Sequence, residues 1–337
     1  MREVAERAGV SIGTVSYTLN NPGRVADDTR ARVLATMDEM GFVRNEAARQ
    51  LRSGAASTIG MIVLDIANPF FAALAHASEM IAEESGFTVI LGSSDQDARR
   101  EDRYLDLFEE QRVRGVLVAS IAGTTPRMRD LAARGVPVVT FDPYAGDDDF
   151  CSVALDGDAA GRAGLSHLAD IGRRSIALVG GPAHQLRDRW DAARGEAEAR
   201  GVTLRLYESD GQTFEEGQRI GHVIASLPAS ERPDAVFAAN DVMAVGIVQT
   251  LVTDRIRVPE DVAVVGIDGT HWSENSLVPI TTLAQPVDEI ARTALRLILD
   301  HAADPDHHVH ERQLLAPTLV VRASTTVGAP PRKDSPR

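Results

Sequence analysis

Residues 8–21 read Ala8-Gly9-Val10-Ser11-Ile12-Gly13-Thr14-Val15-Ser16-Tyr17-Thr18-Leu19-Asn20-Asn21 and crowd hydroxyl and amide side chains into one short segment. Side chains of this kind donate to phosphate oxygens and base edges; alone they break no bonds. Elsewhere the chain has no P-loop, no Gly-x-Gly-x-x-Gly after a strand, and no His/Cys cluster with metal-ligand spacing. His307, His308 and His310 fall in an Asp/Pro-rich loop and read as solvated rather than metal-bound. The single cysteine, Cys151, reads as a small buried or half-buried side chain rather than a catalytic thiol. Catalysis needs a nucleophile beside a positioned base, and no such pair is visible. The expectation is a binding protein, not an enzyme, with no cofactor and no metal.

The elements that present residues 8–21 follow from the spacing of apolar residues. Val4, Ala5 and Ala8 make one helical stripe, and Val15 and Leu19 make another. Gly9 between them can take the positive φ that a helix C-terminus often requires. Ser11 stands where its oxygen can cap the next helix. Two short helices joined by a tight Gly-containing turn form a helix-turn-helix, whose second helix enters the major groove of DNA. A third helix begins near Asp27 or Asp28, covers Val33, Leu34, Met37 and Met40 as its apolar face, and stops at Gly41.

The chain has 337 residues, too many for one ordinary core. No apolar run approaches a membrane span and no signal segment opens the chain, which with a lone cysteine points to the cytoplasm. Net charge is −14. Residues 1–53 hold eight Arg and seven acids, a net +1, so the remainder, with 27 basic and 42 acidic residues, carries −15. An acidic body is repelled by phosphate, so DNA contact is expected only in the small first unit.

Residues 45–52, closed by Ser53-Gly54, are a short amphipathic stretch too brief to be helical alone. They read either as a linker or as a hinge helix that folds on DNA. From Thr58 short Val/Ile/Leu runs at 59–64, 88–91, 115–119 and 136–141 alternate with helical segments at 69–85, 98–112 and 125–134. A second series has strands at 176–179, 202–207, 235–238 and 262–267, with helices near 158–171, 187–200, 214–227 and 241–253. Such alternation predicts an α/β fold of two doubly wound parallel sheets with a ligand cleft at their carboxyl ends. A last helix at about 286–300 and a strand at 314–321 must return to finish the lobes. The expected division is a helix-turn-helix domain at 1–44, hinge and linker at 45–56, a first lobe at 57–155 plus 285–309, and a second at 156–284 plus 310–327. The tail at 328–337 reads as disordered.

These segments, in register, resemble the LacI/GalR family of bacterial transcription regulators. The resemblance rests on Ala8-Gly9-Val10-Ser11, Thr14-Val15-Ser16, Leu19-Asn20-Asn21, Asn68-Pro69-Phe70-Phe71, Ala239-Asn240-Asp241-Val242-Met243-Ala244, Val265-Gly266-Ile267-Asp268 and Thr281-Thr282-Leu283-Ala284-Gln285-Pro286. It covers nearly the whole chain. It implies a cytoplasmic homodimer that reads a pseudo-palindromic operator, a repressor controlled by a small molecule, a sugar or sugar derivative, held between two periplasmic-binding-protein-like lobes. The family's base-reading positions fall on Ile12, Gly13 and Tyr17, with Ser11, Thr14, Ser16 and Asn20 placed to hold phosphates. Leu51 falls on the hinge leucine that wedges into the minor groove, beside Asn45 and Ala48. The effector positions fall on Asp65, Asn68, Phe70, Asp142, Arg189, Phe214, Asn240 and Asp268.

Three departures stand out. The chain opens at about the second residue of the usual first helix, so the family's capping Thr is missing. Arg44 replaces a common Pro. Ala192 and Ala193 stand where the family usually has Gly and an aromatic ring, a loss that enlarges the cleft or weakens stacking, with Trp190 and Trp272 as the rings available to fill it. Two alternatives remain at this level: a sugar-binding protein of the same two-lobed fold without DNA regulation, and a regulator that has lost its effector response.

Overall fold

The structure, a computed structural model, describes residues 1–42, 57–120, 123–141 and 149–326. The chain divides into two compact units, Met1–Ala55 and Ala56–Arg337.

The first unit is built on α1 (Arg2–Ala8), α2 (Ile12–Asn20) and α3 (Asp27–Glu39). Gly9 ends α1 at φ 64°, its N–H reaching the carbonyls of Ala5 and Glu6. Met1 holds the N-cap position of α1 and makes no side-chain cap bond. Val4, Ala5, Ala8, Val15, Val33 and Met37 form the core. The apolar face of α3 differs from the expected one. Leu34 is 48% exposed, while Val33, Thr36 and Met37 are buried. The stripe follows i, i+3, i+4, and Thr36 tolerates burial because its hydroxyl donates to the Arg32 carbonyl at 2.8 Å.

The second unit is two lobes. Its elements run β1 (Thr58–Val63), α4 (Pro69–Glu84), β2 (Thr88–Ser93), α5 (Ala98–Glu110), β3 (Val116–Val118), α6 (Pro126–Ala133), β4 (Val138–Thr140) and β5 (Cys151–Leu155). The second lobe follows with α7 (Gly157–Asp170), β6 (Ser175–Val179), α8 (Arg187–Arg200), β7 (Thr203–Tyr207), α9 (Phe214–Ser226), β8 (Ala235–Ala238) and α10 (Asp241–Thr253). It continues with β9 (Ala263–Asp268), α11 (His271–Glu274) and β10 (Thr281–Ala284), and the chain then adds α12 (Val287–Ala303), β11 (Arg312–Leu315) and β12 (Thr318–Val320).

The sheets are ordered β11-β5-β4-β3-β1-β2 and β12-β10-β9-β8-β6-β7. Among the described residues every pairing is parallel except β10 with β12. Helices on both faces explain why the central strands are near-continuous apolar runs. The first sheet has a separate buried cluster on each face, one around Leu117, Leu295 and Ile298 and one around Leu105, Phe108 and Met128.

The chain passes between lobes three times, between β5 and α7, between β10 and α12, and between β11 and β12. Two expectations need correcting here. The strand expected at 314–321 is two strands, because Pro317 has no N–H to extend a ladder. β11 pairs in parallel with β5, so residues 312–315 belong to the first lobe, and the boundary expected at 310 lies beyond Leu315.

Candidate functional site

In the first unit the Ser11 Oγ accepts the Thr14 N–H at 3.0 Å and lies 2.9 Å from the Thr14 hydroxyl. A cap of this kind is worth about 1 kcal/mol and fixes the start of α2, the end that reads base edges in a helix-turn-helix. Ile12 is 51% exposed and Tyr17 48% exposed, large apolar surfaces on a helix whose other face is core. A Cβ added at Gly13 would meet only the Ser11 Oγ, at 3.4 Å, so the local fold does not require glycine there. Thr14 and Ser16 share this helix; the Asn20 side chain and Asn45, Ala48 and Leu51 lie outside the described residues.

In the second unit a cavity of about 470 Å³ opens between the lobes at the carboxyl ends of the strands. Asp65, Asn68, Phe70, Arg189, Asn240 and Asp268 all line it. Each is set by a local device. Asn68 caps α4, its Oδ1 accepting the Phe70 N–H at 3.0 Å, and Asp65 closes a turn through the Ala67 N–H at 2.8 Å. Asn240 caps α10 through the Met243 N–H at 2.8 Å, while its Nδ2 donates to the Gln212 carbonyl at 3.0 Å. Arg189 donates from Nη1 to the Ala239 carbonyl at 3.1 Å. The start of α8, which carries it, packs so tightly on α7 that a Cβ at Gly161 would collide with the Arg189 carbonyl oxygen.

Asp268 ends β9 at φ 116°, a conformation few residues adopt. Its Oδ1 accepts from Gln285 Nε2 at 2.8 Å. Burial, then the nearby Asp241 carboxylate, push its carboxyl up to about 8, against the pull of Gln285 and Arg189. Burial raises Asp241 as well, but Asp241 accepts from Thr282 Oγ1, Thr270 N and Thr270 Oγ1 at 2.6, 2.7 and 3.0 Å. Donors favour the ionised form, so of the two carboxyls it is Asp268 that is held protonated. Behind the wall Glu101 is held at about 7 by burial, its Oε1 accepting from the cavity-lining Ser120 at 3.1 Å.

Not every expected residue comes to this wall. Phe214 opens α9 half-buried and does not line the cavity, although its neighbours Gln212 and Thr213 do. Asp142 lies outside the described residues. Neither tryptophan fills the cleft. Trp190 is 2% exposed and packs edge-on to Phe237 at 5.4 Å, and Trp272 lies on α11 away from the lining. Ala193 is fully buried and does not line the cavity either, so a ring there would press into the core rather than into the cleft. Among the described residues the rings on the lining are Phe70, Phe71 and Phe141. Sequence reasoning missed Gln96, Ser120, Gln185 and Gln212, whose signal is position alone in segments just past strand ends, and Gln285, which the family segment at residues 281–286 contains.

Residues 1–45 match the model for bacterial regulatory proteins of the lacI family, and residues 165–325 match a periplasmic binding protein-like domain. The chain is 32% identical to the ribose operon repressor of Escherichia coli K12, over 96% of this chain and 99% of that one. A lac repressor dimer bound to operator and an anti-inducer superposes with TM-score 0.80 at 25% identity, covering 96% of this chain and 97% of that one. A LacI family regulator from Enterococcus faecium with bound ribose gives TM-score 0.71 at 27% identity over 79% and 98%. The chain belongs to the LacI family of transcription regulators. It is a DNA-binding regulator and not an enzyme. Among the described residues no helix is long and apolar enough to cross a membrane.

Proposed function

We propose that this chain is a cytoplasmic repressor whose affinity for a pseudo-palindromic operator is set by a small polyhydroxylated ligand, a sugar or sugar derivative, closed between its lobes. The observation that carries this is the cavity wall, where amides, Arg189 and a neutral Asp268 face the rings of Phe70, Phe71 and Phe141. Amides and an uncharged carboxyl donate and accept at once, as hydroxyl groups demand, and rings cover the C–H face of a sugar. Asp65, Asn68, Phe70, Arg189, Asn240 and Asp268 are the proposed effector contacts on the described wall, with Asp142 beyond it and Phe214 one position removed.

On DNA, Ile12 meets a thymine methyl, Tyr17 makes one hydrogen bond, and Ser11, Thr14, Ser16 and Asn20 hold phosphates. Gly13 reads nothing directly. Leu51, with Asn45 and Ala48, bends the operator centre. The dimer matches its two-fold axis to that of the operator. Lobe closure selects one of two dimer geometries, and a ligand shifts the balance only through its differential affinity for them.

The test is genome-wide footprinting followed by a thermal-shift screen of pentoses and hexoses on the pure protein. A two-half-site footprint that one sugar strengthens or releases is expected. Binding without sequence preference, or sequence-specific binding that no sugar alters, overturns the corresponding half of the reading.

A further inference from the structure

At the end of the first sheet opposite the cleft, four side chains converge that the regulator reading does not use. Cys151 opens β5 with its Sγ 3.1 Å from His308 Nε2 and 3.7 Å from His310 Nδ1. The three ligand atoms all lie within 4.8 Å of one another. His301, in the last turn of α12, stacks on His308 with ring centroids 4.3 Å apart and planes 5° from parallel. It meets His310 edge-on at 5.4 Å. The expectation that these histidines are solvated therefore fits only His307, which is exposed and pairs with Asp304 at 2.8 Å. Cys151 is 1% exposed, and His308 and His310 are half-buried against it.

We infer that Cys151, His308 and His310 form a binding site for a borderline, thiophilic divalent cation of the zinc class. Soft thiolate with imidazole is the donor set such ions prefer, while magnesium and calcium demand oxygen. With zinc–sulfur near 2.3 Å and zinc–nitrogen near 2.0–2.1 Å, tetrahedral ligand atoms stand roughly 3.3–3.7 Å apart. The separations from Sγ bracket that range before any ion pulls the groups together. The Glu311 N–H donates to the Sγ at 3.4 Å, a bond that favours thiolate and aims its lone pairs. The Glu311 carboxylate accepts from Arg296 Nη2 at 3.3 Å and from Gln313 Nε2 at 2.9 Å, so it is held beside the site without being a ligand. On binding, the metal–sulfur bond forms as the thiol proton leaves to solvent, and both imidazoles bind neutral. His301 acts as a positioning residue that keeps the His308 ring in plane. Water takes the fourth position.

The donors come from two of the three segments that cross between lobes, and the positioning residue His301 comes from the other. Cys151 is on the strand before the first crossing, His301 on the helix after the second, and His308 and His310 lead into the strand before the third. An ion here fastens the far ends of the first and third, and the His301–His308 stack holds the helix after the second against them.

The full chain, reduced and stripped with chelator, is titrated with Co²⁺ and then Zn²⁺ under anaerobic conditions. One equivalent is expected to bind, with a thiolate-to-cobalt charge-transfer band that Zn²⁺ abolishes and a raised thermal midpoint. Cys151→Ser should lose the band, and the double variant His308→Ala/His310→Ala should weaken binding by more than about 100-fold, beyond the usual effect of an outer-shell partner. The double variant keeps the cysteine and alters only half-buried segment residues, so circular dichroism on it separates misfolding from ligand loss. The inference is overturned if Co²⁺ gives no charge-transfer band, or if the folded double variant binds as tightly as wild type.

Discussion

The two walls of the cavity differ in kind. The first lobe contributes the rings Phe70, Phe71 and Phe141 and, among the described residues, a single charged side chain, Asp65. The second contributes the charged Arg187, Asp188 and Arg189 beside the neutral Asp268, and no ring among the described residues. One wall can cover a ligand's apolar face and the other can hold its hydroxyls, so neither lobe is a site by itself. That division gives a ligand its grip on the lobe angle, because both sets of contacts are made only when the walls approach.

The comparison makes a ranked set of expectations. Arg189→Ala should have the largest effect. A hydrogen bond from a charged group contributes about 1.5–3 kcal/mol, so calorimetry should show affinity for the screened sugar falling by roughly 10–100-fold while ligand-free operator binding stays unchanged. Loss of operator binding as well would make Arg189 a structural residue and remove it from the second wall. Phe70→Leu keeps apolar bulk but removes the ring, and should weaken the same sugar by about 0.5–1.5 kcal/mol, or roughly 2–10-fold. A larger loss there than at Arg189 reverses the assignment of the walls.

Asp268→Asn tests stability without ligand rather than affinity. In the folded chain the Asp268 carboxyl is raised to about 8 from 3.8. Between those values the folded state holds a proton that the unfolded state has released, so stability falls as pH rises through that window. Asparagine carries no such proton, still accepts from Gln285, and tolerates the positive φ. The variant should match wild type near pH 4 and melt at an increasingly higher temperature than wild type as pH rises towards 8. A gain that is constant with pH would mean that Asp268 is ionised throughout.

The sequence made the framework readable because buried parallel strands such as β6 and β8 are short apolar runs, and helices such as α8 and α10 keep their bounds even before packing is seen. β5 and β10 escaped notice. Cys151-Ser152-Val153-Ala154 and Thr281-Thr282 are small or polar, and they are buried only because neighbouring strands and returning helices cover them. The cavity was legible where a capping or family motif marked it, as at Asn68, Asn240 and Asp268. Single glutamines past strand ends carry no periodicity. Phe214 and Trp190 show the converse, since a ring near the right position turns inward or aside depending on one residue of helical phase. The Cys/His cluster joins residue 151 to residues more than 150 positions later, a proximity created only by β11 pairing with β5.

That late return has a consequence for biogenesis. The ribosome delivers the first unit complete within its opening residues, and five strands of the first sheet by residue 155. The helix that completes, with α4, the cover of one face of that sheet and the strand that closes its edge arrive only at 287–315, after the second sheet's main strands have emerged. Domains fold as their chain becomes available, so the nascent first lobe waits with one apolar face only partly covered, by α4, while the second lobe is synthesised. Chaperone demand should therefore peak mid-translation, and a premature stop near residue 285 would cripple the lobe encoded upstream of it.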